Sequence, residues 1–322
     1  GQLLQVFLET VAADCQKNPQ GRFMRDDYVH AVNNFFENTI LPEASFDPVS
    51  GKISPLSGRY TNEEVRDNFD YWYNKGQKNG RWWYPESNTS PTSTTDIGQT
   101  GVILAALYRD PREAFYKGYE LLSMWYTDKA YIASQLMYIM TVHAFINNVP
   151  IKYYENYLIA LFDKIGVIET YINSFDDSMI FVDVFRMLKK EHLFKAVDDR
   201  FASILFGTNC HCFNLIPCAY YYSIKNTTNF EKGILTAVNS SGNNMSRAAL
   251  TGGILGAMNG IQGIPQRFID GLKTDKPLPE NYTSYGQYLM DLAKTVAQKS
   301  NGKIPPLELS YESDCGCYVS FD

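Results

Sequence analysis

The chain reads as all-α, a compact orthogonal bundle of many helices. Three features point there. Apolar residues recur at helical spacing through most of the length. No sustained apolar–polar alternation of period two, the mark of a half-buried strand, occurs anywhere. Proline and glycine gather in a few loops, and several of the segments between them open on Asp, Asn or Ser, the residues that cap helices.

Taken in order, residues 1–15 place Leu3, Leu4, Phe7, Leu8 and Val11 on one helical face. A second helix, 26–37, turns Val29, Val32, Phe35 and Phe36 inward. Residues 41–60 carry Pro42, Pro48, Gly51, Pro55 and Gly58 and read as a loop. Thr61 to Glu64 resembles a capping box and opens a helix over 62–73. Residues 76–95, rich in Ser, Thr and Pro around Trp82, Trp83 and Tyr84, are irregular. From there the chain is almost all helix. Residues 98–108 are short and apolar. Pro111 starts 111–125, because proline suits a first helical turn. Residues 128–147 form a strongly apolar helix, and 152–164, 166–174, 177–190 and 193–206 continue the pattern. Helices over 212–224, 230–238 and 246–260 complete the core, with 266–271 and 285–300 after them. The tail from about 301 is polar and partly irregular. No repeat or long linker divides the chain, so residues 1–322 read as one domain.

Composition excludes some functions. Net charge is −6 with both signs interspersed, and no basic stripe is interleaved with aromatics, so no nucleic-acid partner is expected. No apolar run reaches the roughly 18 residues that span a bilayer, and the first residues lack a basic leader, so no membrane partner is expected. A cytoplasmic protein is the resulting expectation. Six cysteines do not make a disulfide scaffold in a chain this long. Two Cys-x-Cys pairs, Cys210 with Cys212 and Cys315 with Cys317, are spaced more tightly than usual zinc ligands and read as unligated thiols. Cys210 and Cys212 are the redox candidates, and His211 between them is the one histidine that metal or redox chemistry would use. His143 lies on an apolar helix and reads as a core residue.

The most informative stretch is 237–265. A polar loop, Asn239 to Asn244, precedes a helix whose small residues Ala248, Ala249, Gly252, Gly253, Gly256, Ala257 and Gly260 recur at helical spacing. Each interior glycine costs roughly 1 kcal/mol relative to alanine, so a compensating reason is required; close approach of another backbone is the expected one. The loop aims polar groups at a helix N-terminus, which favours oxygen ligands and anions.

This loop and helix, ending in Gly260-x-x-x-Ile264-Pro265, resemble the C-terminal motif of the ADP-ribosylglycohydrolase family, Gly-Asp-Thr-Asp-Thr/Ser followed by x-Ala-Ala. Gly242 matches the motif glycine, Ser246 the hydroxyl, and Ala248 and Ala249 the paired alanines. Asp96-Ile97-Gly98 and Tyr108 to Ala114 are similar to the family's middle segment, and 209–222 with 229–234 to the two helices before the motif. The resemblance implies an all-α scaffold, cleavage of ADP-ribosyl bonds, and two Mg²⁺ ions held by the motif carboxylates together with a Thr-Asp-Asp-Thr-like run at the start of an early helix. That helix corresponds to 1–15, so the acidic run is expected at or before Gly1, and no carboxylate stands there in this sequence. In the loop, Asn243 stands at the first Asp position and Met245 at the second. An amide is a weak ligand for Mg²⁺ and a thioether a poor one.

From this substitution pattern come the site expectations. No catalytic residue and no metal are assigned. Gly242, Asn243, Asn244 and Ser246 form a vestigial site for an ADP-ribose-like ligand, with Asn244 or Ser246 in the plainer role of helix cap. Met245 is expected to pack into the space of the lost metal, and Arg247 to make a surface ion pair rather than bind phosphate. Adjacent carboxylates (Asp26 with Asp27, Asp176 with Asp177, Asp198 with Asp199) are expected at helix starts. Trp82 to Tyr84 are expected to tuck a loop onto the core rather than stack on adenine. Within the family the pattern resembles its lens-crystallin branch, the J1-crystallins related to selenoprotein J, which implies a structural, catalytically degenerate protein. Its 23 Tyr and 19 Phe agree with that, since aromatic rings are polarisable and raise refraction. Self-association is the partner expectation. The alternatives are a Mg²⁺-dependent ADP-ribosyl hydrolase with atypical ligands and a thiol redox protein.

Overall fold

In the computed structural model, residues 2–18, 20–54, 63–75, 95–126, 128–154, 157–158, 160–161, 197–274 and 277–300 are described. The helices expected over 166–174 and 177–190, the stretch around Trp82, Asp176, Asp177, Cys315, Cys317 and the tail from 301 lie outside them.

The first apolar stripe becomes α1 (Gln2–Lys17), which buries Phe7, Val11 and Cys15 completely. Helix α2 (Arg25–Phe35) carries Asp26 and Asp27 in its first turn, where their charges suit the positive end of its dipole. It runs on as a wider π turn over Phe36–Ile40 and a 3₁₀ turn over Leu41–Glu43, beyond the expected end at 37.

The expected loop of 41–60 holds a short hairpin instead. Strand β1 (Ser45–Asp47) pairs antiparallel with β2 (Lys52–Ser54), Phe46 opposite Ile53. Asp47 closes the turn by accepting from the Val49 N–H at 2.9 Å, and the Asn74 side chain bonds both backbone groups of Ile53 at 3.0 and 3.1 Å. Three-residue strands are too short to show an alternation. Helix α3 (Glu63–Trp72) then sets Phe69 edge-on against Phe36, ring centroids 5.8 Å apart.

The middle of the fold is α4 (Asp96–Leu107), α5 (Pro111–Ser123) and α6 (Lys129–Ile146). Asp110 and Asp128 cap the last two, each accepting a backbone N–H at 2.8 Å. Helix α7 (Asp199–Phe206) is capped by Asp198, as expected for that carboxylate pair. Helix α8 (Cys212–Lys225) and α9 (Phe230–Asn239) lead into α10 (Asn244–Asn259), which packs against α9, α8, α6 and α4. After α11 (Gln266–Asp270), α12 (Tyr285–Gln298) returns to α1, where Tyr285 and Tyr288 donate to Gln5 and Glu9 at 3.0 and 2.8 Å. One apolar cluster extends from Leu3 to Val296. Apart from the hairpin, the regular structure of the described residues is helical, so the all-α class stands. Among the described residues no helix is long and apolar enough to cross a membrane.

Candidate functional site

The loop between α9 and α10 is held from three sides. Gly242 has φ +85°, and a Cβ there would stand 2.7 Å from the Thr208 Cα, so both conformation and space demand glycine. The next residue, Asn243, donates its N–H to the Thr208 carbonyl at 3.0 Å. Ser241 meets the Ser203 hydroxyl at 3.1 Å, and Ser240 meets the Tyr222 hydroxyl at 2.6 Å. Thr208 also brings this loop beside the segment that carries Cys210 and His211.

Asn243, not Asn244 or Ser246, caps α10: its Oδ1 accepts from the Ser246 N–H at 3.3 Å. Asn244 reaches back, its Nδ2 donating to the Val238 carbonyl at 3.0 Å. Two expectations are corrected here. Met245 does not fill a vacated metal space; it is 80% exposed and points to solvent from the first turn of α10. Arg247, expected in a surface ion pair, makes none among the described residues. It is completely buried, and its guanidinium donates to the carbonyls of Ala237 (3.2 Å), Ser240 (3.0 Å) and Ser241 (2.8 Å).

The small residues of α10 also serve a different partner from the expected backbone. A Cβ on Gly253 would overlap the Tyr138 hydroxyl, which donates to the Leu250 carbonyl at 3.0 Å. Gly252 and Gly256 face the side chains of Ile234 and Ile264. Sequence reasoning misses Tyr138. The buried position of Arg247 is signalled by its spacing, since Arg247, Leu250, Thr251, Ile254 and Leu255 make one helical stripe.

His211 and His143 each take a place in a hydrogen-bonded frame. His211 caps α8, its Nδ1 accepting from the Phe213 N–H at 3.3 Å, which leaves the proton on Nε2, 3.3 Å from the Tyr131 hydroxyl. Burial holds its pKa below the ordinary value. His143 is a core residue as expected. Cys212 is buried, Cys210 half-buried, and Cys218 is pushed up to about 11 by burial although the Arg247 charge pulls it down. A thiol that stays protonated is a poor nucleophile. No group of three or more His, Cys, Asp or Glu among the described residues is arranged to hold a metal ion.

A groove of about 570 Å³ opens beside the loop, lined by Asn239, Ser240, Asp199, Arg200, Glu231 and Lys232 among others. Several of its charges are already matched. Arg200 holds Asp198 at 2.6 Å, Lys225 holds Asp199, and Arg267 holds Glu231.

The fold and this loop define an all-helical scaffold with a polar turn set at the head of a glycine-rich helix. The family model described as ADP-ribosylglycohydrolase matches residues 3–305, and the chain belongs to that family. No curated protein matches it. The magnesium ions that the family implies do not fit this loop. Asn243 Oδ1 is turned onto its own helix, Met245 offers a soft sulfur to solvent, and no carboxylate stands between Gly242 and Ser246.

Proposed function

We propose that this chain is a non-hydrolytic member of its family, which keeps the scaffold and does not cleave ADP-ribosyl bonds through metal ions at the Gly242–Ser246 loop. The observation that carries this reading is the donor set: an amide engaged in capping and an exposed thioether stand where Mg²⁺ needs charged oxygen. Its narrower form is a structural, crystallin-like role. Support for that form is compositional, in the 14% aromatic content and the net charge of −6, which favours solubility when crowded. A refractive increment no higher than that of average globular proteins would remove the support.

Hydrolysis is the second reading. What favours it is the family match over residues 3–305, a range that includes the loop and the glycine-rich helix. One assay separates the two. The chain is incubated with ADP-ribosylated protein and with poly-ADP-ribose, with millimolar Mg²⁺ and with EDTA. The non-hydrolytic reading expects no release of ADP-ribose in either; Mg²⁺-dependent release sinks it. Calorimetric titration with ADP-ribose, with and without Mg²⁺, tests whether a vestigial site at Asn243, Asn244 and Ser246 still binds this ligand. A redox role through Cys210 and Cys212 finds no support in the half-buried and buried thiols.

A further inference from the structure

Among the described residues, no carboxylate is paired with Arg247. Its hydrogen bonds go to three main-chain carbonyls, those of Ala237, Ser240 and Ser241. The first lies in the last turn of α9, and the other two belong to the loop that follows. A helix end leaves its last carbonyls without intrahelical partners and carries partial negative charge. The guanidinium therefore stands where a cation is favoured, and the same helix end receives the Asn244 Nδ2 on the Val238 carbonyl. Tyr222, whose ring lies 5.9 Å from the guanidinium carbon, holds Ser240 by its hydroxyl. The first turn of α10 thus closes the end of α9, and the loop is trapped between them.

We infer that Arg247 is a built-in cation that ties the Ser240–Ser241 turn to the end of α9, so that the loop ahead of α10 keeps its shape without a bound metal ion. Three features carry this. The side chain is completely buried, so its contacts are not exchanged with water. Its partners are carbonyl oxygens converging from the last turn of α9 and the loop after it, a donor set that suits a cation. A guanidinium stays charged at every accessible pH, and its planar fork reaches several acceptors at once, which a lysine ammonium does not reproduce. A divalent ion drawn to these same carbonyl oxygens would meet a fixed positive charge already in place. The inference rests on the non-hydrolytic reading only in holding that the loop needs no metal for its shape.

Hydrogen exchange of residues 239–244 tests it, measured on the whole chain in EDTA and in millimolar Mg²⁺. Expected is protection that does not change between the two conditions. In Arg247→Lys, exchange over 239–244 should rise at least about tenfold while amides of α4 and α6 stay protected. Wild-type-like protection in Arg247→Lys overturns the inference, because the fork would then be dispensable. Protection that rises with Mg²⁺ in the unaltered chain overturns it too, and that arm stands even if the variant does not fold. ADP-ribose release in the separate assay would sink the non-hydrolytic reading while leaving these exchange results to decide the role of Arg247.

Discussion

The Tyr138 hydroxyl on α6 donates to the Leu250 carbonyl of α10 at 3.0 Å, across the gap that Gly253 leaves. The contact makes glycine a requirement at position 253 of this helix. Gly253 admits a phenol, whereas Gly256 faces only the end of Ile264, 3.9 Å from where a Cβ would be. The two glycines should respond with opposite sign. Gly253→Ala is expected to cost about 2 kcal/mol by overpacking. Gly256→Ala should stabilise by up to about 1 kcal/mol through helix propensity. Urea unfolding of both variants checks this, and Tyr138→Phe should recover part of the Gly253→Ala loss. Equal losses at both glycines would show that the helix is read wrongly.

Much of this site is legible in the sequence, but the charge of Arg247 and the apolarity of Met245 mislead in opposite directions. Polarity alone puts the arginine outside and the methionine inside. Helical spacing puts Arg247 on the stripe with Leu250, Thr251 and Ile254, and spacing is the better guide. It prevails because carbonyls at the end of α9 await a donor. Those acceptors come from a segment six to ten residues away in sequence and are invisible in a local pattern. The hairpin at Ser45–Ser54 escapes a reading by periodicity because its order lies in the Asp47 turn and the Asn74 clamp. The helices themselves fall where apolar spacing is strong, with ends shifted by a few residues where capping decides.

Asp14 should make the fold less stable as pH rises. It is 2% exposed, and its Oδ2 accepts from the Met24 N–H at 3.1 Å. Burial first, and a hydrogen bond shared with Asp27 second, push its pKa up to about 7; the shared proton lowers that of Asp27. A carboxyl raised above its unfolded value of 3.8 holds its proton longer in the folded state. Its stabilising effect is therefore complete below about pH 4 and declines as pH rises to about 7. Asp14→Asn should remove that slope and melt a few degrees above the wild type at pH 8. A lower melting point for the variant at pH 8 contradicts the assignment.

His143 should act at the acid end with the other sign. Its Nε2 lies 3.0 Å from the Tyr108 carbonyl and 3.2 Å from that of Arg109, so the neutral ring donates there. Burial lowers its pKa to about 4 from 6.5. The folded state disfavours protonation, so this contribution is complete above pH 6.5 and is lost as pH falls toward 4, on the order of 3 kcal/mol. His143→Gln should be less stable than the wild type at pH 7 and lose less between pH 6.5 and 4.5. Parallel urea midpoints for the two proteins across that range would refute the proposed titration.

The loop can be given back its carboxylates at little structural cost. Asn243→Asp keeps an oxygen on the Ser246 N–H, since aspartate caps helices as well as asparagine does. Met245→Asp exchanges a side chain that is 80% exposed for an anion in the first turn of α10, where the helix dipole favours it by about 0.3–1 kcal/mol. The double variant should therefore be at least as stable as the wild type without added metal. With two hard donors in one turn it should also melt higher as Mg²⁺ is added, while the wild type shows no such dependence. A Mg²⁺-dependent rise in the wild type defeats the non-hydrolytic reading. A double variant that folds but gains nothing from Mg²⁺ moves the obstacle from the missing carboxylates to the guanidinium of Arg247, whose fixed charge stands against any second cation in the loop.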